Sequence, residues 1–232
     1  LCDLVQVSCR PRPLRQGSRV TRIVLHDYFR SSASYRVRIA LNLKGLDYEQ
    51  RPVSLVDNVQ QSPEYKALNP QGFVPMLELG DERVTQSLAI FDRLDALVEE
   101  PPFVPSDPPG RAHVLALALT VACDIHPLNN LRVLRYLKGE LGQPQEAVDA
   151  WYRHWVAEGL AALEALAAPR AGAFLFGDTV SMADICLVPQ LYNGRRFDVP
   201  MDAYPTLLRA EASALALPAF AAAHPDRQES AR

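Results

Sequence analysis

The sequence predicts a small α/β domain followed by an all-helical one, and three observations carry that reading. Apolar runs of strand length occur only ahead of Ser87. A proline cluster, Pro101-Pro102, Pro105 and Pro108-Pro109, then punctuates the chain. Beyond it, apolar residues recur only at helical spacing.

Bulk properties set the limits. With 232 residues, 48% of them hydrophobic, the chain can bury two modest cores without staples. A net charge of -3, with no basic stripe on any helix-like segment, argues against nucleic acid as a partner. No uninterrupted apolar run reaches the roughly 18 residues a membrane span needs, so no membrane association is expected. Cys2, Cys9, Cys123 and Cys186 form no C-x-x-C pair and no zinc-finger spacing. Cys123 and Cys186 fall in apolar helical runs, where reduced, buried thiols are expected, and this suits the cytoplasm. No metal site is expected either: His113, His154 and His224 have no partners at ligand spacing. Up to Arg22 the chain holds Arg10, Arg12, Arg15 and Arg19 against the lone acid Asp3, a transit-peptide composition. Pro11 and Pro13 interrupt it and no amphipathic period is present, so residues 1–21 are read as a disordered leader or an upstream artefact.

The elements follow in order. Residues 22–28 are an apolar run of strand length. Ser31, Ser32 and Ser34 then offer N-cap hydroxyls to a helix whose apolar face holds Val37, Ile39, Leu41 and Leu43, with Gly45 at the C-cap. Residues 48–53 read as a second strand, parallel to the first through a right-handed crossover. A short helix over 64–68 precedes strands at 76–79 and 83–85, which flank a Gly80-Asp81 turn. A helix over 87–97, capped by Ser87, closes the first domain. The order βαβ then ββα is the thioredoxin-like one, although element order alone leaves other arrangements open. Past the linker, helices are expected over 111–137, 144–166, 182–191 and 203–215. The resulting division is 22–100 for the first domain, 101–109 for the linker, 110–225 for the helical domain and 226–232 for a tail.

Three places carry chemistry. Serine hydroxyls at a strand end and helix N-terminus meet exposed N–H groups and the positive end of the helix dipole, a setting that favours an anion. A thiolate is one such anion. A thiol of reference pKa about 8.5 is only a few per cent ionised at neutral pH, and lowering that by about two units takes about 2.7 kcal/mol. One hydroxyl plus a helix terminus supplies that order of magnitude, yet the same serines would equally serve as plain caps. Second, Val74-Pro75 precedes a strand; a cis bond there would present the Val74 backbone to a peptide-like ligand, but without context trans is favoured. Third, Gln86-Ser87 opens a helix whose N-terminus can hold a carboxylate.

Together these elements resemble a family. The run Ser31-Ser32-Ala33-Ser34-Tyr35-Arg36-Val37-Arg38-Ile39-Ala40-Leu41 matches the signature of zeta-class glutathione transferases. Ala67-Leu68-Asn69-Pro70, Val74-Pro75 and Gln86-Ser87-Leu88-Ala89-Ile90 continue the match in order. Asp124-Ile125-His126-Pro127-Leu128-Asn129-Asn130-Leu131, Ser181-Met182-Ala183-Asp184 and Arg195-Arg196-Phe197 extend it to the helical half. The resemblance implies a glutathione transferase fold, glutathione as cofactor, and cis-trans isomerisation of maleylacetoacetate, or alternatively maleylpyruvate. It also implies a homodimer.

Residue by residue, the resemblance implies that Ser32 hydrogen-bonds the glutathione sulfur, with Ser31, Ala33 and Ser34 beside it. It gives the cysteinyl backbone to Val74 and Pro75, and the γ-glutamyl carboxylate to Gln86 and Ser87. Gln60, His126, Asn130 and Arg132 are implied as further glutathione contacts. Ala33 departs from the family, many of whose members carry Cys there; activities needing that thiol are put in doubt, whereas isomerisation is not. Thiolate addition, rotation about the resulting single bond and elimination form the implied mechanism. Developing charge and substrate carboxylates need fixed cations, for which Arg30, Arg132 and Arg196 are the candidates. Ser181-x-x-Asp184 is read as a capping box that serves folding, and Trp151, Tyr152 and Trp155 as core or interface. A general conjugating transferase would not need three arginines, and a non-catalytic module would not need Ser32 or Gln86-Ser87.

Overall fold

A computed structural model describes residues 22–228 of the chain. The expectations for residues 1–21, for Cys2 and Cys9 and for the end of the tail fall outside the described residues.

The first domain is a four-stranded sheet in the order β2-β1-β3-β4. Strand β1 (Ile23–Asp27) is buried along its whole length and pairs parallel with β2 (Glu49–Pro52). Helix α1 (Ser32–Leu43) makes the crossover between them. It ends at Gly45, whose φ of 62° is the left-handed conformation expected of a C-terminal glycine. Helix α2 (Pro63–Leu68) leads to the antiparallel hairpin of β3 (Met76–Leu79) and β4 (Glu82–Thr85), turned at Gly80 and Asp81 as expected. Helix α3 (Ser87–Leu97) completes the unit. Its cap is Gln86 and not Ser87, which is the first helical residue. The Val74-Pro75 bond is cis, against the context-free expectation.

The linker is no free tether. Phe103 and Val104 are buried, and the Met182 amide donates to the Phe103 carbonyl at 2.7 Å. Lys44 is buried at the end of α1 and donates to the carbonyls of Val98 and Pro101 at 2.7 and 2.6 Å, while pairing with Asp95 at 2.7 Å. A buried ammonium needs such a complete set of partners, because leaving one donor bare costs about 1–3 kcal/mol.

The helical domain departs from the expected single helix over 111–137. Helix α4 (Pro108–Leu119) widens into a π-helical segment, Thr120–Ile125, and continues as α5 (His126–Asn129). Extended Asn130 then breaks the run before α6 (Leu131–Gly139). The π segment turns Cys123 to the surface, correcting the expectation that it is buried; Cys186 is buried as expected. By length and composition the whole stretch Pro108–Gly139 is long and apolar enough to cross a membrane, which the run-length criterion did not signal. In the fold its α4 and π portions pack on α7 (Gln145–Ala167) and α8 (Met182–Arg196).

Helix α8 runs past the expected end at 191, through Pro189, to Arg196. Its start is the expected capping box: Asp184 accepts from the Ser181 amide and hydroxyl, both at 2.9 Å, and from the Leu175 amide at 2.8 Å. Helix α9 (Pro205–Leu215) is as expected, and α10 (Pro218–Ala223) adds a helix beyond the last one expected, inside the stretch assigned to the helical domain. The short α10 packs on α1. There Arg38, wholly buried, donates to the Ala223 carbonyl at 3.0 Å, to Asp27 at 2.7 Å and to the Phe29 carbonyl at 2.9 Å. One contiguous apolar core therefore runs through both domains, from Leu25 and Ile39 to Leu187 and Phe220.

Candidate active site

A cavity of about 570 Å³ opens between the α/β domain and the helical domain, within the range of small-molecule sites. Its floor is the start of α1. Ser31 caps that helix, its hydroxyl oxygen accepting from the Ser34 amide at 3.2 Å. Accepting leaves the Ser31 O–H free to donate. Ser31 and Ala33 line the cavity; Ser32 and Ser34 lie behind them, buried, and their hydroxyls have no partner among the described residues. Buried polar atoms are nearly always satisfied, so hydroxyls left open beside a helix N-terminus mark a place where a ligand or water completes the bonding.

A second helix N-terminus forms the adjoining wall. Gln86 holds a φ of 68°, which a non-glycine residue rarely adopts and which clusters at ligand sites. Its side-chain amide donates to Gln71 at 2.9 Å. Val74 and Pro75 line the cavity beside it. The loop ahead of them is fixed by Tyr65 and Asn69, which donate to the Phe73 carbonyl at 2.7 and 2.8 Å.

Between the two helix starts lies a residue that sequence reasoning missed. Arg36 is buried yet lines the cavity, and its one side-chain hydrogen bond among the described residues is a 3.5 Å donation to the Ser87 hydroxyl. Its Nε and Nη2 have no partner among the described residues, and burial pulls its pKa down. A desolvated guanidinium with free donors calls for an anion. An arginine interrupting an apolar helix face was the available signal.

The helical domain supplies the roof. His126, Asn130 and Arg132 all line the cavity. Burial pushes His126 down to about 3, with Arg36 and Arg132 adding to the effect, so its imidazole is neutral at working pH. Asn130 caps α6 by accepting from the Arg132 amide at 3.1 Å, and the Arg132 guanidinium sits 5.0 Å from the centre of the Phe73 ring. Gln60 is buried in the wall with its carbonyl oxygen unpartnered. Arg135, also missed from sequence, donates to Asn58 at 3.0 Å and to the Leu55 carbonyl at 2.7 Å, tying the roof to the loop after β2.

The three arginines expected at one substrate site are not brought together. Arg132 lies in the large cavity, whereas Arg30 and Arg196 line a second cleft of about 370 Å³ with Phe29, Tyr192 and Asp226. Arg30 precedes Ser31, so the turn from β1 into α1 contributes to the lining of both spaces. Arg196 reaches the second cleft from the C-terminus of α8.

An α/β domain with two ligand-ready helix starts, roofed by a helical domain, is the architecture of a two-domain transferase. Residues 25–102 match the model for the glutathione S-transferase N-terminal domain, and residues 145–222 the model for its C-terminal domain. The chain belongs to the glutathione S-transferase family. A probable maleylacetoacetate isomerase of Vibrio cholerae serotype O1 is 46% identical over 211 residues, covering 90% of this chain and 98% of that one. A solved maleyl pyruvate isomerase, described as a bacterial zeta-class glutathione S-transferase, superposes with a TM-score of 0.87 at 43% identity, covering 89% and 98% of the two chains. The maleylacetoacetate isomerase of Anaeromyxobacter dehalogenans, with glutathione bound in its active site, gives 0.82 at 42% identity, covering 91% and 98%. A second structure of that protein, at 0.81, 41%, 91% and 98%, holds dicarboxyethyl glutathione and citrate there.

Proposed function

We propose that this chain is a glutathione-dependent cis-trans isomerase that converts maleylacetoacetate to fumarylacetoacetate in aromatic amino acid catabolism. One observation carries the reading: two helix N-termini and the buried Arg36, with two open donor nitrogens, converge on one cavity, with Ser31 at its floor and the unpartnered Ser32 and Ser34 hydroxyls just behind it. Glutathione fits this donor set, since it offers a sulfur and two carboxylates to sites that lack anions. The isomerase names and the glutathione-bound structures of the relatives support the same reading.

When bound, glutathione supplies a thiolate that adds to the cis double bond and leaves again after rotation. The protein's part is to hold charge. Ser31 and Ser32, at the positive end of α1, keep the sulfur ionised. Val74 presents its backbone to the cysteinyl portion, and Gln86 and Ser87 take the γ-glutamyl carboxylate. Gln60, His126, Asn130 and Arg132 close the other side, His126 as a neutral hydrogen-bonding group. Arg30 and Arg196 take the substrate carboxylates from the second cleft, across the β1–α1 turn from Ser31. The dicarboxyethyl glutathione held by the Anaeromyxobacter relative, a sulfur joined to a diacid, supports this division of the site.

Maleylpyruvate is the second substrate reading, favoured by the maleyl pyruvate isomerase superposition. We further infer a homodimer, in keeping with the zeta-class resemblance and with the exposed Leu119 on α4, and a cytoplasmic location, in keeping with two unpaired cysteines. An ultraviolet assay of both substrates, with and without glutathione, tests the function. Faster conversion of maleylacetoacetate, dependent on glutathione, is expected; equal conversion without any thiol would refute it.

A further inference from the structure

Cys123 is set apart from the other described thiol. Cys186 is fully buried, and burial pushes its thiol up to about 11, which makes it inert. Cys123 is exposed on the π-helical segment and lines the large cavity. With alanine at position 33, it is the only thiol on that wall among the described residues. The wall around it is built for an anionic, hydrogen-bonding ligand. Arg36 leaves Nε and Nη2 bare and Gln60 leaves its carbonyl oxygen bare, and both side chains are more than nine-tenths buried. The Arg36 guanidinium also lies near enough to Cys123 and Cys186 for a thiolate at either to hold its proton more tightly.

We propose that Cys123 is a glutathionylation site, at which a glutathione disulfide seated in the large cavity leaves one of its halves as a mixed disulfide. This rests on the reading that the cavity takes glutathione. The disulfide of that tripeptide carries four carboxylates and two ammoniums, and Arg36, Arg132 and Arg135 line the cavity with no acid partner among the described residues, Arg36 the buried one that receives it. The Cys123 sulfur gives up its proton to solvent and attacks one sulfur of the ligand. A bond forms from Cys123 to that sulfur, the ligand's own S–S bond breaks, and its electron pair leaves with a glutathione thiolate. Cys123 is oxidised and one half of the ligand is reduced, so no other oxidant is needed. The attached half then fills the space that the cofactor occupies, and turnover stops until a thiol reverses the exchange.

The test exposes the full chain to glutathione disulfide and reads intact mass, a peptide map and isomerase activity. One glutathionyl group on the peptide containing Cys123 is expected, with loss of most activity and recovery in dithiothreitol. Saturating S-methylglutathione, which binds but cannot exchange, is expected to protect the residue. Cys123→Ser is expected to have the same activity before and after treatment. An adduct confined to other cysteines, or an adduct at Cys123 undiminished by S-methylglutathione, overturns the proposal. So does the absence of an adduct in protein that binds S-methylglutathione by calorimetry, an outcome that leaves the cofactor reading standing. Failure to bind S-methylglutathione overturns both.

Discussion

Ser31 and Ser32 sit one residue apart and meet different demands. Ser31 spends a lone pair on the Ser34 amide and keeps its proton to give; Ser32 is buried with its hydroxyl wholly unspent. Each can donate to a sulfur anion, and a charged hydrogen bond is worth about 1.5–3 kcal/mol, or one to two pKa units. Ser32→Ala is expected to raise the pKa of bound glutathione by about one unit or more and to lower turnover at neutral pH at least about tenfold. Ultraviolet titration of the bound thiolate checks this. A normal titration in Ser32→Ala beside a shifted one in Ser31→Ala would assign the sulfur to the capping hydroxyl instead. The serine cluster itself was plain in the sequence. Which serine faces the cavity was not, because helix phase at a cap is fixed only once Ser31 takes the N-cap position.

At the scale of elements, the decisive piece is the π segment that bridges α4 and α5. Ile125 within it is buried against α7 at Gly159, where an added Cβ would lie 2.3 Å from the Ile125 side chain. No rotamer change absorbs an overlap of that size inside a packed core. Gly159→Ala is therefore expected to cost about 1–3 kcal/mol and to weaken glutathione binding, because Ile125 adjoins His126. Denaturant unfolding and calorimetry read the two effects; full affinity in a destabilised variant would show that the roof tolerates the shift. Element by element, the strands, α1, α3 and α7 were legible because their apolar periods are unbroken. The π segment and the break at Asn130 were not, since helical periodicity runs straight through Cys123 and His126. Nor was α10, whose run of alanines carries too little apolar pattern to mark a helix of its own. Arg36 and Arg38 lie two residues apart on α1, yet one finds an aspartate and two carbonyls while the other finds only the Ser87 hydroxyl among the described residues. That contrast exists only once distant chain segments have met.

For the whole molecule, stability against pH follows from His126. Its folded value, near 3, lies below the ordinary 6.5, so between those values the unfolded chain binds the extra proton. The stability it lends is complete above pH 6.5 and is lost as pH falls towards 3. The fall in Tm between about pH 7 and about pH 5 is expected to be smaller in His126→Gln than in the native chain; an equal fall would mean that other groups set the slope. The bonds made by α1 have a different consequence. Arg38 ends on the Ala223 carbonyl, Asn42 on that of Ala219, and Lys44 on those of Val98 and Pro101. The thioredoxin-like half looks like a self-contained cassette, yet it cannot be excised or transplanted as one. Cut after α3, it would keep a guanidinium inside without the Ala223 carbonyl and an ammonium inside without those of Val98 and Pro101, and α10 is as much a part of that half as its own sheet.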